Sequence, residues 1–317
     1  MEVTLIPGSG IGPQVADVVR DVVSAIGSAI RFDEQNEIGA ATESVRRTGL
    51  ALKGKWVAKI EPGTLPPTVL FRKALGIHTI VRHVTNLPGL PARGQNVDIL
   101  IVREASEDIY SGFEHESAEG VFETVKVTTR AACERIHRYA FELARAKGRK
   151  RVTTVHKANI LKKSDGMFLA VGQQIAKEYA EITHDDVIVD ALCMQIVRKP
   201  HAFDVLVAGN LFGDIVSDCA AGMAGGVTVA CGRNIGEGVT VFESPHGTSP
   251  EIVGIDGANP YPMLGLTVDL LRHVGEMENA ERVRSACISA LQAGLHTVDM
   301  GGTATCSAVR TGVLAAL

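Results

Sequence analysis

Aromatic residues are scarce in this 317-residue chain, which has one Trp, four Tyr and nine Phe, 4% in all. Hydrophobic residues nonetheless make up 45%, so a core must be built from Val, Ile, Leu, Ala and Met. The six cysteines (133, 193, 219, 231, 287, 306) form no CxxC pair and no metal-ligand spacing. That excludes a disulfide framework and reads as reduced, buried thiols of a cytoplasmic protein. A net charge of −4 leaves no electrostatic footprint for nucleic acid. No run reaches the ~18 apolar residues of a membrane span. Residues 1–7 lack a basic region followed by an apolar stretch and a cleavage site, so secretion is not expected. The Gly-rich turn Gly8-Ser9-Gly10-Ile11-Gly12-Pro13 has Pro where a GxGxxG fingerprint ends in Gly, and there is no Walker lysine motif. Both the Rossmann dinucleotide and P-loop readings are rejected.

What is present alternates. A short apolar strand at 3–6 leads through that turn into a helix over 14–26, with Val15, Val18, Val19, Val22, Val23 and Ile26 at helical spacing. Further strands are expected at 31–37, 77–84, 97–102, 151–155, 187–189, 205–207 and 239–242. Helices are expected at 41–48, 69–75, 129–147, 166–179, 262–275 and 279–294. Residues 119–127 alternate and suggest an exposed two-stranded arm. Pro/Gly-rich stretches at 61–68 and 87–94 read as loops that mark a crossing between domains. This order predicts an α/β protein, with helices flanking a mainly parallel central sheet.

Asp214 and Asp218 stand four residues apart and share one face if the segment is helical. Two like charges there call for compensation, and Mg2+ or Mn2+ prefers carboxylate oxygen. Asp190, closing the apolar run DVIVD, is a third acid; the alternative for the pair is a solvated helix face. Arg72, Arg82 and Arg103 make a polycarboxylate clamp if the fold gathers them; singly, each is an ordinary surface arginine. Tyr110 and Lys157 suit acid/base work beside a cation, and are otherwise structural.

Collinear landmarks complete the reading: LIPGSGIGP (5–13), LFRKALGIHTIVRHV (70–84), REASEDIYSGFEH (103–115), HKANILKKSDGMF (156–168), DALCMQIVRKP (190–200), GNLFGDIVSDCAAG (209–222), FESPHGTSPEIVG (242–254) and ANP (258–260). Together they resemble the β-decarboxylating dehydrogenases of isocitrate, isopropylmalate, homoisocitrate and tartrate over nearly the whole chain, and lean toward the isocitrate/homoisocitrate branch. The resemblance implies an isopropylmalate dehydrogenase-like two-domain fold that is not a Rossmann fold. One domain would take 1–95 plus 235–317. The other would be the insertion 96–234, with a dimer-clasp arm near 115–130. It implies a homodimer with shared active sites, in which Lys157 and Asp190 serve the partner's site.

The roles it implies are specific. Lys157 is the base, Tyr110 the acid, and Asp190, Asp214 and Asp218 hold Mg2+ or Mn2+. Arg72, Arg82, Arg103, Thr68 and Val69 meet a malate-type substrate. Ile11, Asn159, His246, Gly247, Glu251, Ile252 and Asn259 neighbour the cofactor. Glu251 falls where NAD-dependent relatives place an acid for the ribose hydroxyls, which repels a 2′-phosphate and favours NAD. Pro66-Pro67-Thr68-Val69 matches neither the isocitrate nor the isopropylmalate pattern, Ala105 replaces a common Asn and Ser9 the usual Asp, which points to a specialised substrate. The competing expectation is a non-catalytic regulatory subunit, which would have lost some of the metal or proton-transfer residues.

Overall fold

The computed structural model describes residues 1–57 and 64–317. The expected loop at 61–68 therefore lies partly outside the described residues. The chain divides into two compact units. The first contains residues 1–75, 86–93 and 224–317, the second residues 76–85 and 94–223. The segment 76–85 thus goes with the insertion and 224–234 with the termini, unlike the expected division at 95/96 and 234/235. Strand pairing is the cause: residues 79–85 find their partner in residues 98–104 of the second unit.

In the first unit, β1 (Glu2–Ile6) pairs in parallel with β2 (Arg31–Glu34) and β3 (Leu50–Lys53). Beyond them, β12 (Val239–Glu243) is parallel to β3 and antiparallel to β11 (Gly232–Gly236). Helix α1 (Gly12–Ala25) has Pro in its first turn, where no intrahelical N–H is lost. It buries Val15, Val18, Val19, Val22 and Val23, each contributing about 1.5–3 kcal/mol by burial. These valines pack with residues of α8 (Tyr261–His273), α9 (Met277–Gln292) and α10 (Cys306–Ala315) in one core. Helices α2 (Ile38–Thr48) and α3 (Pro67–Ala74) complete the unit.

In the second unit, β4 (Thr79–Thr85) runs antiparallel to β5 (Asp98–Glu104). The sheet continues in parallel through β10 (Val205–Ala208), β8 (Arg151–His156) and β9 (Thr183–Ile188). Its central strands are continuous apolar runs, as strands buried on both faces require. Helices α4 (Arg130–Ala146) and α5 (Ser164–Ala176) pack on it, and Thr129 caps α4 by accepting from Ala132 N. Strands β6 (Glu114–Ala118) and β7 (Val121–Thr124) form a fully exposed hairpin. Its turn falls where the expected arm began.

Helix α6 (Val189–Arg198) corrects the placement of Asp190. It lies in the first turn of a helix rather than closing a strand, where its negative charge suits the N-terminal dipole. Helix α7 (Asn210–Ala224) carries Asp214 and Asp218. No helix among the described residues is long and apolar enough to cross a membrane. All six cysteines are free thiols.

Candidate active site

In the second unit, α7 follows β10 almost without a turn, so its first residues stand at the end of a buried parallel strand. A side chain at Gly213 would press on Arg103, with a Cβ built there only 2.7 Å from the Arg103 Cγ. Glycine at this position lets α7 lie against β5 and brings Arg103 to Asp214. The buried Arg103 donates its Nε to Asn210 Oδ1 at 2.8 Å and pairs with the Asp214 carboxylate. Its guanidinium stands 5.1 Å from the ring centre of Tyr110. The Tyr110 hydroxyl donates to the other oxygen of Asp214 at 2.7 Å. From β4, Arg82 reaches Asp218 at 2.7 Å and Asp214 at 3.8 Å. Five expected residues thus come together, with two cations meeting two acids.

Burial, reinforced by the hydrogen bond to Asp214, pushes the Tyr110 phenol up to about 12. It remains a proton donor throughout the neutral range. The backbone just before it is strained: Asp108 has φ +74 and ψ −153, a region nearly confined to Gly that costs about 1–3 kcal/mol. The buried Asp108 carboxylate offsets this by accepting from Ile109 N at 2.8 Å and Leu211 N at 3.1 Å.

Lys157 and Asp190 form a separate pair, Nζ to Oδ1 at 2.5 Å. The Asp190 side chain is 69% exposed, and the hydrogen bond from Lys157 holds its carboxyl below the usual range. Among the described residues no three His, Cys, Asp or Glu gather into a metal site. The chain alone therefore offers the two hard oxygen donors of Asp214 and Asp218, with Asp218 69% exposed toward an incoming ion. That donor chemistry fits Mg2+ or Mn2+ with its remaining positions filled from elsewhere. Asn159 is exposed in the turn after Lys157.

In the first unit, Arg72 on α3 pairs with the buried Glu243 at 2.6 Å. Glu243 also receives Lys53 at 2.8 Å and Asn234 Nδ2 at 2.5 Å. Burial works against its charge, yet Arg72 and Lys53 hold the carboxyl well below its ordinary value. The Arg72 Nε is buried without a hydrogen-bond partner among the described residues. Thr68 and Val69 are half-buried in the first turn of the same helix.

The expected cofactor residues of this unit mostly cluster. Ile11 N donates to Thr248 O at 3.0 Å. Gly10, with φ +64, lies so near that a Cβ would be 1.8 Å from the same carbonyl. No residue with a side chain permits that approach, so the Gly-rich turn seats the loop that carries His246 and Gly247. His246 donates its Nδ1 proton to Gly247 O at 2.9 Å, which makes the buried Nε2 an acceptor, and it has no partner among the described residues. Burial keeps the ring neutral. An orphaned buried acceptor beside an exposed loop fits a bound nucleotide.

Glu251 is exposed, and with Ile252 it lies on the short turn Pro250–Ile252. Asn259 is structurally engaged. Its Nδ2 donates to Thr228 and Asp299, and its Oδ1 caps Tyr261 N. Ser9 is held by the backbone, its N donating to Lys55 O at 2.8 Å, while its hydroxyl accepts from Val57 N at 3.3 Å.

Sequence reasoning singled out none of Lys53, Glu243, Asp108, Lys126 and Asp165. Asp108, Glu243 and Asp165 stand within landmark segments, REASEDIYSGFEH, FESPHGTSPEIVG and HKANILKKSDGMF. That is the only signal that points to them, since their contacts are made across the fold.

A mainly parallel α/β scaffold without a dinucleotide fingerprint, bearing paired aspartates, arginines and a tyrosine, fits a dehydrogenase of the decarboxylating class. The chain belongs to the isocitrate/isopropylmalate dehydrogenase family, whose profile matches residues 2–313. It is 42% identical over 316 residues to the mitochondrial NAD isocitrate dehydrogenase catalytic subunit 5 of Arabidopsis thaliana, covering 95% of this chain and 84% of that one. It is also 42% identical, over 329 residues, to the regulatory subunit 1 of that organism, covering 99% and 89%. The crystal structure of isocitrate dehydrogenase from Methylococcus capsulatus superposes with a TM-score of 0.93 at 37% identity, covering 99% and 98%.

Proposed function

We propose that the chain catalyses NAD-dependent oxidative decarboxylation of a 3-substituted malate, of isocitrate or homoisocitrate type, to a 2-oxo acid, CO2 and NADH. The Tyr110–Asp214–Arg103 arrangement carries the reading, because it couples a protonated phenol to a prospective metal ligand and a carboxylate-binding cation. When bound at Asp214 and Asp218, Mg2+ or Mn2+ supplies Lewis-acid polarisation of the substrate oxygen, and NAD supplies the hydride acceptor. Arg72, Arg82 and Arg103 bind and orient the substrate carboxylates, and Thr68 and Val69 meet its 3-substituent. Lys157 accepts the hydroxyl proton. Tyr110 returns a proton to the carbon that loses CO2.

The assembly belongs to the same proposal. It is a homodimer in which Lys157 and Asp190 of each chain serve the other's site. The exposed apolar residues Phe113, Val121 and Phe122 of the hairpin region, and Met194, Val197 and Ile215 on α6 and α7, support a face covered by a second copy. The two units are the two domains of this reading. Ile11, Asn159, His246, Gly247, Glu251, Ile252 and the main chain of Asn259 neighbour the NAD. Unpaired thiols support a reducing compartment, here the cytoplasm.

Catalytic and regulatory relatives are equally identical to this chain, so identity does not choose between them. The presence of Tyr110, Lys157, Asp190, Asp214 and Asp218 together supports the catalytic one. Purified protein is assayed for NADH formation with Mg2+ or Mn2+ on isocitrate, homoisocitrate, isopropylmalate, tartrate and malate, with NAD and with NADP. One strong NAD-linked substrate is the expected result. Silence across the panel, with neither metal nor NAD bound, would sink the catalytic reading and favour the regulatory one. A higher kcat/KM with NADP would sink the assignment of NAD.

A further inference from the structure

A half-buried cation, Lys126, links the segments that carry the proposed proton-transfer groups. Lys126, between the hairpin and α4, places its ammonium 3.2 Å from Asp165 Oδ1 and 3.4 Å from Asp108 Oδ2. It stands 4.9 Å from the ring centre of Phe212. Both carboxylates are nearly inaccessible, with side chains 4% and 5% exposed, and each uses its remaining bonds on main-chain groups of the site. Asp165 Oδ2 accepts the backbone N–H of Lys157 at 2.7 Å. Asp108 accepts Leu211 N, in the first turn of the helix bearing Asp214, and Ile109 N, next to Tyr110. None of these three side chains has a role in the reaction as described.

We propose that Lys126, Asp108 and Asp165 form a positioning device that fixes the main chain at Lys157, at Tyr110 and at the start of α7, so that the acid and the base stand at their working positions. The inference rests on the assignment of Lys157 and Tyr110 given above. A carboxylate–ammonium–carboxylate cluster is well suited to the task. Two buried acids repel unless the cation lies between them, so each of the two segments is held in register by the same charge. The cluster's hydrogen bonds go to the main chain at the proton-transfer groups rather than to the substrate-binding arginines. It therefore acts on kcat more than on KM.

The test compares Lys126→Met, Lys126→Arg, Asp165→Asn and Lys157→Met in one steady-state assay of NADH formation with the member of the malate panel above that the native protein turns over, with thermal unfolding in parallel. Asp165→Asn keeps side-chain volume and an acceptor oxygen, and so yields a folded protein if Lys126→Met does not. Lys126→Met and Asp165→Asn are expected to lower kcat about 10²-fold, the cost of a roughly 1 Å misplacement, with KM within about threefold. Both should displace the pH profile of kcat, and Lys126→Arg should recover most of the rate. An unchanged kcat and pH profile in folded Asp165→Asn overturns the proposal, as does a rate loss that merely follows the folded fraction. If Lys157→Met itself turns over at the native rate, the acid–base assignment fails. If Lys157→Met is inactive while Asp165→Asn is fully active, only the positioning role fails.

Discussion

Tyr110 donates its hydroxyl to Asp214 at 2.7 Å while Arg103 holds the opposite oxygen of the same carboxylate. One side chain is thus shared by the proposed acid, a substrate-binding cation and the proposed metal site. Asp214 orients the phenol, and burial keeps that phenol protonated to about 12. A phenol held protonated in this way supports the proposed role of Tyr110 as a proton source rather than a base.

Tyr110→Phe removes the proton and keeps the ring that lies beside Arg103. The expected loss is about 10²–10⁴ in kcat, the usual contribution of a positioned acid. Substrate affinity should change little, because the arginines are untouched. Stability should fall by no more than about 1 kcal/mol for one lost hydrogen bond. Parallel assays of NADH formation and CO2 release check it, and a native rate in both would remove Tyr110 from the reaction.

Asp218→Asn tests the metal site with little risk to folding, since the side chain is 69% exposed. Removing one of two anionic oxygen donors should raise the Mn2+ concentration needed for half-maximal activity at least about tenfold. Excess metal should restore much of kcat. A metal-titration curve that overlays the native one would show that Asp218 does not hold the ion.

Glu243→Gln leaves the buried Lys53 and the half-buried Arg72 without their shared anion. Breaking such a pair from one side costs about 3–5 kcal/mol, which chemical denaturation would register. Lys53→Met together with Glu243→Gln removes one charge of each sign and should recover part of that loss. Arg72 then loses its anchor but keeps its charge, so KM for the substrate should rise while folding is partly restored. Equal stability of the single and double variants would contradict this account.

The legibility of the site varies with the range of its contacts. Asp214 and Asp218 were readable because i,i+4 spacing is a local property of a helix. Asp190 was misplaced because β9 ends at Ile188 and α6 starts at Val189, with no Gly, Pro or capping residue to mark the change. Strand β11, Gly-Arg-Asn-Ile-Gly, has little intrinsic strand character. It is extended because it pairs with β12, a tertiary cause that local propensity does not contain. Lys126 meets Asp108 and Asp165 only because two loops and the first turn of α5 converge. The Glu243 cluster likewise joins Lys53 to residues 190 positions away. Long-range electrostatic partners of this kind leave no periodic trace, whereas the alternating strands and helices do.

His137 supplies a prediction away from the site. It is fully buried in α4 of the second unit, beside the ring of Phe168. Its Nδ1 lies 2.8 Å from the carbonyl of Cys133, which only accepts, so Nδ1 carries the proton. Nε2 then accepts from the Thr154 hydroxyl at 3.3 Å, and that hydroxyl accepts in turn from Nε2 of His184 at 2.9 Å. Burial, the largest influence, lowers the ring from 6.5 to about 4, and the neighbouring His184 pulls in the same direction. Above pH 6.5 the ring is neutral in both states and makes no pH-dependent contribution. As pH falls from 6.5 toward 4 the unfolded chain takes up a proton that the folded chain refuses. Stability therefore declines through that window, by about 3 kcal/mol from this group at its lower end. His137→Gln removes the titration, so it should be less stable at pH 7 through lost packing yet lose less between pH 7 and pH 5 than the native protein. Urea midpoints at the two pH values decide the matter. His184 remains in both proteins, so the difference in slope reports His137 together with its coupling to His184, and identical slopes would show that its proton is not what acid destabilisation of this unit turns on.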